Sequence, residues 1–187
     1  EAAPGLPMAE HDGLRCASAA EEFDPSRQNV ETPELYGLFP FRLLGLGKPG
    51  LEAAREAYRR RADKSEVGWT QDGQFAARLG LVDEARRILL AKSRNANPRH
   101  RFPAMWGPNF DWLPDQDHGS NLLGVLQLML LQCDGDTIRL LPAWPADWDV
   151  SFRLHAPRNT VVQGRWHGGR FEELVVEPRE RARDVVI

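Results

Sequence analysis

Twelve residues, Asn121 to Gln132 (NLLGVLQLMLLQ), are apolar on nearly every side of a helical projection, and they set the first constraint on the fold. A helix without a polar face is buried inside a larger body. Directly before it stands Phe110-Asp111-Trp112-Leu113-Pro114-Asp115-Gln116-Asp117-His118-Gly119-Ser120, a Pro- and Gly-punctuated loop that crowds three carboxylates around a Trp and a His. The loop is thereby expected at the N-terminus of a buried helix, where unpaired backbone N–H groups favour an anion. A carboxylate kept ionised beside a Trp and a His suits a general base in a cleft for polar substrates. Aspartates also cap helices and turn loops. For one Asp the two readings weigh about equally; three of them with Trp112 tilt the balance toward chemistry.

The chain has 187 residues, enough for one full domain or two small ones, and a net charge of −3. That charge gives no basis for a nucleic-acid surface or an anionic membrane partner. No apolar run reaches the roughly 20 residues of a membrane span. Cys16 and Cys133 lie far apart without metal-ligand spacing, and Cys133, at the end of the apolar run, is expected to pack as a small hydrophobe. The opening residues (EAAPGLPMAEHDG) have neither the charged n-region nor the apolar h-region of a signal peptide, and read like the middle of a longer polypeptide.

Along the chain, residues 1–30 lack periodicity and read as loops with one short turn. Pro33 to Leu46 is apolar and aromatic, a buried helix broken near Pro40. Leu51–Ala62, Trp69–Leu79 and Val82–Lys92 each read as helices with short joints, the pattern of antiparallel helical hairpins. Asn95 to Ser120 is a long irregular stretch, and loops longer than about 15 residues in compact domains are usually functional. After Gly135 the pattern changes to short strands: Thr137–Leu141, Val150–His155, Thr160–Trp166 and Phe171–Val176, with His167-Gly168-Gly169 as the clearest hairpin signal.

Two motifs are decoys. Gly45-Leu46-Gly47-Lys48-Pro49-Gly50 matches G-x-G-x-x-G, yet its surroundings are helical and Pro49 removes an N–H that a phosphate would need. Asp115-x-Asp117 could open a calcium loop, but Ser120 and Leu126 occupy the positions that require Gly and Glu. The five histidines never fall at i, i+4, so zinc is unsupported, and no metal or cofactor is expected. What remains is Trp106, Asn109, Trp112, Asp115, Asp117 and His118 in the long loop, with the acidic run Asn29–Glu34. Aromatic faces stack on sugar C–H faces and paired carboxylates cleave glycosides, so the set fits a carbohydrate site. Trp144 and Trp148 are assigned to the junction between helices and strands.

Four segments in order, spread over much of the chain, resemble glycoside hydrolases of family 95, the α-L-fucosidase family. Leu35-Tyr36-Gly37-Leu38-Phe39-Pro40 resembles the family's LYGLYP. Val67-Gly68-Trp69-Thr70 with Ala77-Arg78-Leu79-Gly80 resembles its GWS…ARLG hairpin. Asp117 through Met129-Leu130-Leu131-Gln132 resembles IDGNFGG…EMLLQ, and Leu140-Leu141-Pro142-Ala143-Trp144-Pro145 with Trp148 resembles the LLPALP…W junction. The family's HRHxSH is replaced by Asn29–Glu34 (NVETPE), and its GNFGG by His118–Leu122.

The resemblance implies a mainly α fold: residues 1–135 as the C-terminal part of an (α/α)6 six-hairpin barrel, and 136–187 as an antiparallel, β-sandwich-like module. It implies an inverting exo-glycosidase of bacterial origin, exported, acting on plant or host glycans. Asp117 is then the general base, with Asp115 as the alternative. Trp112, Asn109, His118, Trp69, Glu31 and Asn29 would line the substrate cleft. The family's general acid lies upstream of the matched segments, so this chain alone is expected to be incomplete for catalysis and to associate with the missing N-terminal part. The alternative is a non-catalytic relative that binds glycan or serves as a scaffold.

Overall fold

A computed structural model describes residues 5–22, 31–65, 69–94 and 117–187. The chain opens with a hairpin, β1 (Met8–His11) and β2 (Leu14–Ala17), whose turn residues Asp12 and Gly13 both have positive φ. A 3-10 turn (Pro33–Leu35) leads to three helices: α1 (Leu51–Arg60), α2 (Asp72–Arg78) and α3 (Val82–Arg94). Next come α4 (Asp117–Leu130), β3 (Leu131–Asp134), β4 (Thr137–Leu140), β5 (Val150–Ala156), β6 (Thr160–His167) and β7 (Arg170–Glu177). A second 3-10 turn and β8 (Val185–Val186) close the described chain.

The expectation of a mainly α fold is overturned. The described residues form four α-helices and eight strands in three sheets, and no barrel closes. A ring of helical hairpins needs each helix flanked by helices. Here α2, α3 and α4 pack on one another, while α1 packs against the β1–β2 hairpin and the first 3-10 turn. The N-terminal segment read as loops contains that hairpin. Pro33–Leu46 is a 3-10 turn followed by tight turns, with Arg42 and Gly45 at positive φ and Phe41 and Leu43 largely exposed.

Two further corrections concern the apolar run. Its helix ends at Leu130, and Leu131–Asp134 pairs with β4 in antiparallel register, so Cys133 sits in a strand. The helix is also one-sided: Asn121, Val125 and Met129 are buried at successive turns, whereas Leu123 is 58% exposed. The buried stripe follows the i, i+4 spacing of one helical face.

α2 is the central helix. Every residue from Asp72 to Leu79 is buried, polar ones included. Its small residues let neighbours approach: a Cβ on Gly73 would lie 2.5 Å from Val125 Cγ2 of α4. At its C-terminus, Ala77 O accepts from Gln132 Nε2 of β3 at 2.7 Å, and Arg78 O accepts from Leu46 N at 3.3 Å. The glycine-rich stretch at 45–50 is a docking loop. Gly47 leaves room for the Arg139 guanidinium of β4, and Lys48 pairs with Asp134 at 2.9 Å.

The strands expected after Gly135 are present, and β5-β6-β7 is an antiparallel sheet with a Gly168-Gly169 turn. Phe152, Val162 and Val176 are buried, while Arg153, Gln163 and Glu177 point outward, the alternation of a half-solvated antiparallel sheet. The other sheet, β3-β4-β8, is mixed, since β8 joins β4 in parallel. Buried Arg181 ties the sheets together, donating to Thr160 Oγ1 of β6 at 3.1 Å and to Asp136 O at 3.2 Å. The junction Trp144 and Trp148 meet edge to face, and Arg86 of α3 lies over Trp148.

Candidate functional site

Asn109, Trp112, Asp115 and Asn29, like Trp106, lie outside the described residues. Asp117 and His118 form the first turn of α4, so the backbone of the expected base position is helical. Trp69 is half-buried just before α2, and Glu31 is exposed before the first 3-10 turn, where its charge helps to raise the Tyr36 phenol, chiefly shifted by burial. Of these expected residues, the structure ties Trp69 to α4.

The tie runs through Asn121, one helical turn after Asp117. Asn121 Nδ2 donates to Trp69 O at 3.2 Å and to Thr70 O at 2.9 Å. Its Oδ1 accepts from Lys92 Nζ of α3 at 2.8 Å, and the same ammonium donates to Thr70 O at 2.6 Å. Lys92, Thr70 and Asn121 are all buried. A buried ammonium is tolerated only where acceptors surround it. The start of α4, the end of α3 and the lead-in to α2 are thus clamped at one point. Gln74 of α2 adds a bond from Nε2 to Asn121 O at 3.3 Å.

The polar network continues inward. Asp72, at the start of α2, receives Arg61 Nε at 2.5 Å, and both side chains are sealed from solvent. Arg61 also donates to Tyr58 O, lies 3.7 Å from the Tyr58 ring centre, and reaches Glu84 at 3.7 Å. Burial pushes the Asp72 carboxyl above its ordinary value, opposed by Arg61 and by Lys92. Burial likewise pushes the Tyr58 phenol far up. Beside this pair, a hollow of about 800 Å³ opens between α1 and α3, lined among others by Arg55, Tyr58, Arg61, Glu84 and Arg87. Neither Trp69 nor Glu31 is among its described lining residues.

Lys92, Asn121, Thr70, Arg61 and Asp72 were not singled out from sequence. One signal was available: α2 reads DGQFAAR, and its polar positions 72, 74 and 78 cannot share one solvated face. A short helix with polar groups on several sides and small residues between them is packed all round, and its polar groups need buried partners. Lys92 gave no such signal, because a Lys in the last turn of an amphipathic helix ordinarily faces water.

Among the described residues no cluster of His, Cys, Asp and Glu could hold a metal ion, and no helix is long and apolar enough to cross a membrane. No protein-family model matches this chain, and no curated protein matches it.

Proposed function

We propose that this chain contributes the base side of an inverting exo-glycoside hydrolase that acts on plant or host glycans, α-L-fucosidase-like. What carries the reading is position. Asp117 stands at the start of α4, one turn before Asn121, whose side chain is bolted to the Trp69–Thr70 backbone. Trp69 and Asp117 belong to two of the four segments that resemble the fucosidase family, and the Asn121 clamp links those segments. A helix start favours an ionised carboxylate, as a general base at neutral pH requires. In an inverting reaction this carboxylate takes a proton from water as that water attacks the anomeric carbon. A general acid on the opposite face protonates the departing oxygen, the two carboxyl groups standing roughly 6.5–9.5 Å apart. The resemblance puts that acid upstream of the matched segments, so the reading takes it from polypeptide N-terminal to them.

The test is hydrolysis of aryl glycosides, an aryl α-L-fucoside included, by a polypeptide joining this chain to the upstream segment that carries the acid. Asp117→Asn should lower kcat by roughly 10²–10⁴-fold while leaving the melting temperature unchanged, and proton NMR should show product of inverted anomeric configuration. Wild-type turnover in Asp117→Asn would refute the assignment. A second reading, glycan binding without cleavage, is favoured by one observation: Asp72, the only buried carboxylate among the described residues, is tied to Arg61. Saturable oligosaccharide binding by calorimetry, with no turnover in the joined polypeptide, would select it.

A further inference from the structure

Arg78, the last residue of α2, is only 7% exposed. Its Nε is sealed from solvent and has no acceptor, and its guanidinium makes no hydrogen bond or ion pair with any described residue. A guanidinium does not shed its proton in a protein, so burial cannot be relieved by neutralisation. Its electrostatic surroundings add to the cost, because a second arginine, Arg42, acts on it with like charge. The carboxylate that opposes this, Asp134, is engaged by Lys48 at 2.9 Å. Arg42 itself is held at a positive φ of 56° and is exposed, and no described residue pairs with its guanidinium.

Both arginines line a cleft of about 410 Å³ between the helices and the β5-β6-β7 sheet. Its walls include Phe39 from the turn region, Gln127 and Leu128 from α4, and Leu154 from β5. Such a volume suits a small molecule, and apolar walls with a few convergent polar groups are the usual make-up of a ligand pocket. We propose that this cleft binds a small organic monocarboxylate. The carboxylate would be taken by Arg78 with Arg42 and the carbon skeleton would lie between Phe39 and Leu154. The guanidinium fork matches a carboxylate in bidentate geometry. A phosphate dianion is a poorer fit than a monoanion: the helices reaching the cleft, α2 at Arg78 and α4 at Gln127–Leu128, present residues near their C-terminal ends, whose negative dipole opposes two charges more than one. This site is separate from the Asn121 clamp and does not depend on the hydrolase reading.

The test is thermal unfolding of the 187-residue chain in titrations of sodium benzoate, with sodium chloride and inorganic phosphate at matched ionic strength. Benzoate should raise the melting temperature in a saturable way, since a ligand at a hundred times its Kd shifts the unfolding equilibrium about 100-fold. Arg78→Met should abolish the shift and raise the melting temperature in anion-free buffer, because an uncompensated buried charge has gone. Arg42→Gln, at an exposed position, should keep the fold and weaken benzoate by about tenfold or more, the loss of one charge-assisted contact. No benzoate shift in the wild type, an undiminished shift in Arg78→Met, or stabilisation by phosphate alone would overturn the proposal. Should Arg78→Met fail to fold, undiminished benzoate affinity in Arg42→Gln would overturn it by itself.

Discussion

Replacing Gly73 by Ala should destabilise this protein, although Gly to Ala in a helix ordinarily stabilises by about 0.5–1 kcal/mol. The reason is the contact between α2 and α4. The new Cβ would lie 2.5 Å from Val125 Cγ2, 3.1 Å from Val125 Cγ1 and 3.4 Å from Ile88 Cγ2. Carbon atoms sit comfortably at about 3.5–4.0 Å, so the closest approach is short by about 1 Å. Val125 is fully buried and, being β-branched in a helix, has one strongly preferred rotamer. Relief must therefore come from moving the two helices apart, which loosens the packing around Phe75 and Met129. Overpacking of this kind costs about 1–3 kcal/mol, leaving a net loss of roughly 0.5–2 kcal/mol after the helix-propensity gain. Gly124→Ala supplies the contrast, because its Cβ would meet only Gln74 Nε2, at 3.5 Å. That variant should gain up to about 1 kcal/mol. Urea unfolding followed by circular dichroism measures both, and the double variant Gly73→Ala/Val125→Ala should be more stable than the sum of the singles by about 1 kcal/mol. The packing argument fails if Gly73→Ala matches or exceeds the wild type, or if the double variant shows no coupling.

Two further outcomes follow from the buried polar network. Lys92→Met removes the donor to Asn121 Oδ1 and Thr70 O; it should cost about 1–3 kcal/mol in urea unfolding, and an unchanged midpoint would refute the clamp. Asp72 carries a carboxyl raised by burial, so the folded state binds its proton more tightly than the unfolded chain does. Stability contributed at this site accordingly grows as pH falls through the folded pKa toward the unfolded value of about 3.9. The stability of the wild type relative to Asp72→Asn should be greater at about pH 4.5 than at pH 7, and a difference of the opposite sign would show that Arg61 outweighs burial.

Local chemistry in the sequence determined much of the element pattern. The alternation in Val150–His155 and Thr160–Trp166 specifies strands with one wet face, and Gly168-Gly169 supplies the positive φ that their hairpin needs. The charged, amphipathic runs at 51–60 and 82–94 specify helices for the same local reason. The β1–β2 hairpin was equally legible, since Asp12-Gly13 is a strong two-residue turn signal; the polar composition around it masked that signal. Tertiary structure decided the rest. Pro33–Leu46 has the composition of a buried helix, yet its chain folds back on itself, with Leu43 N and Leu44 N both donating to Gly37 O and Leu44 packed over Gly37. Leu131–Cys133 continues a helical pattern but pairs with β4, because a strand partner two residues away across Gly135-Asp136 competes for its backbone. The polar groups at Asp72, Gln74, Arg78 and Lys92 look like solvated positions one by one. The first three are buried because α2 is enclosed by α3 and α4, the turns near Leu46 and the β3 strand, and Lys92 of α3 because its ammonium reaches Thr70 and Asn121 in that packing; enclosure is a property of the assembled neighbours that no single segment encodes.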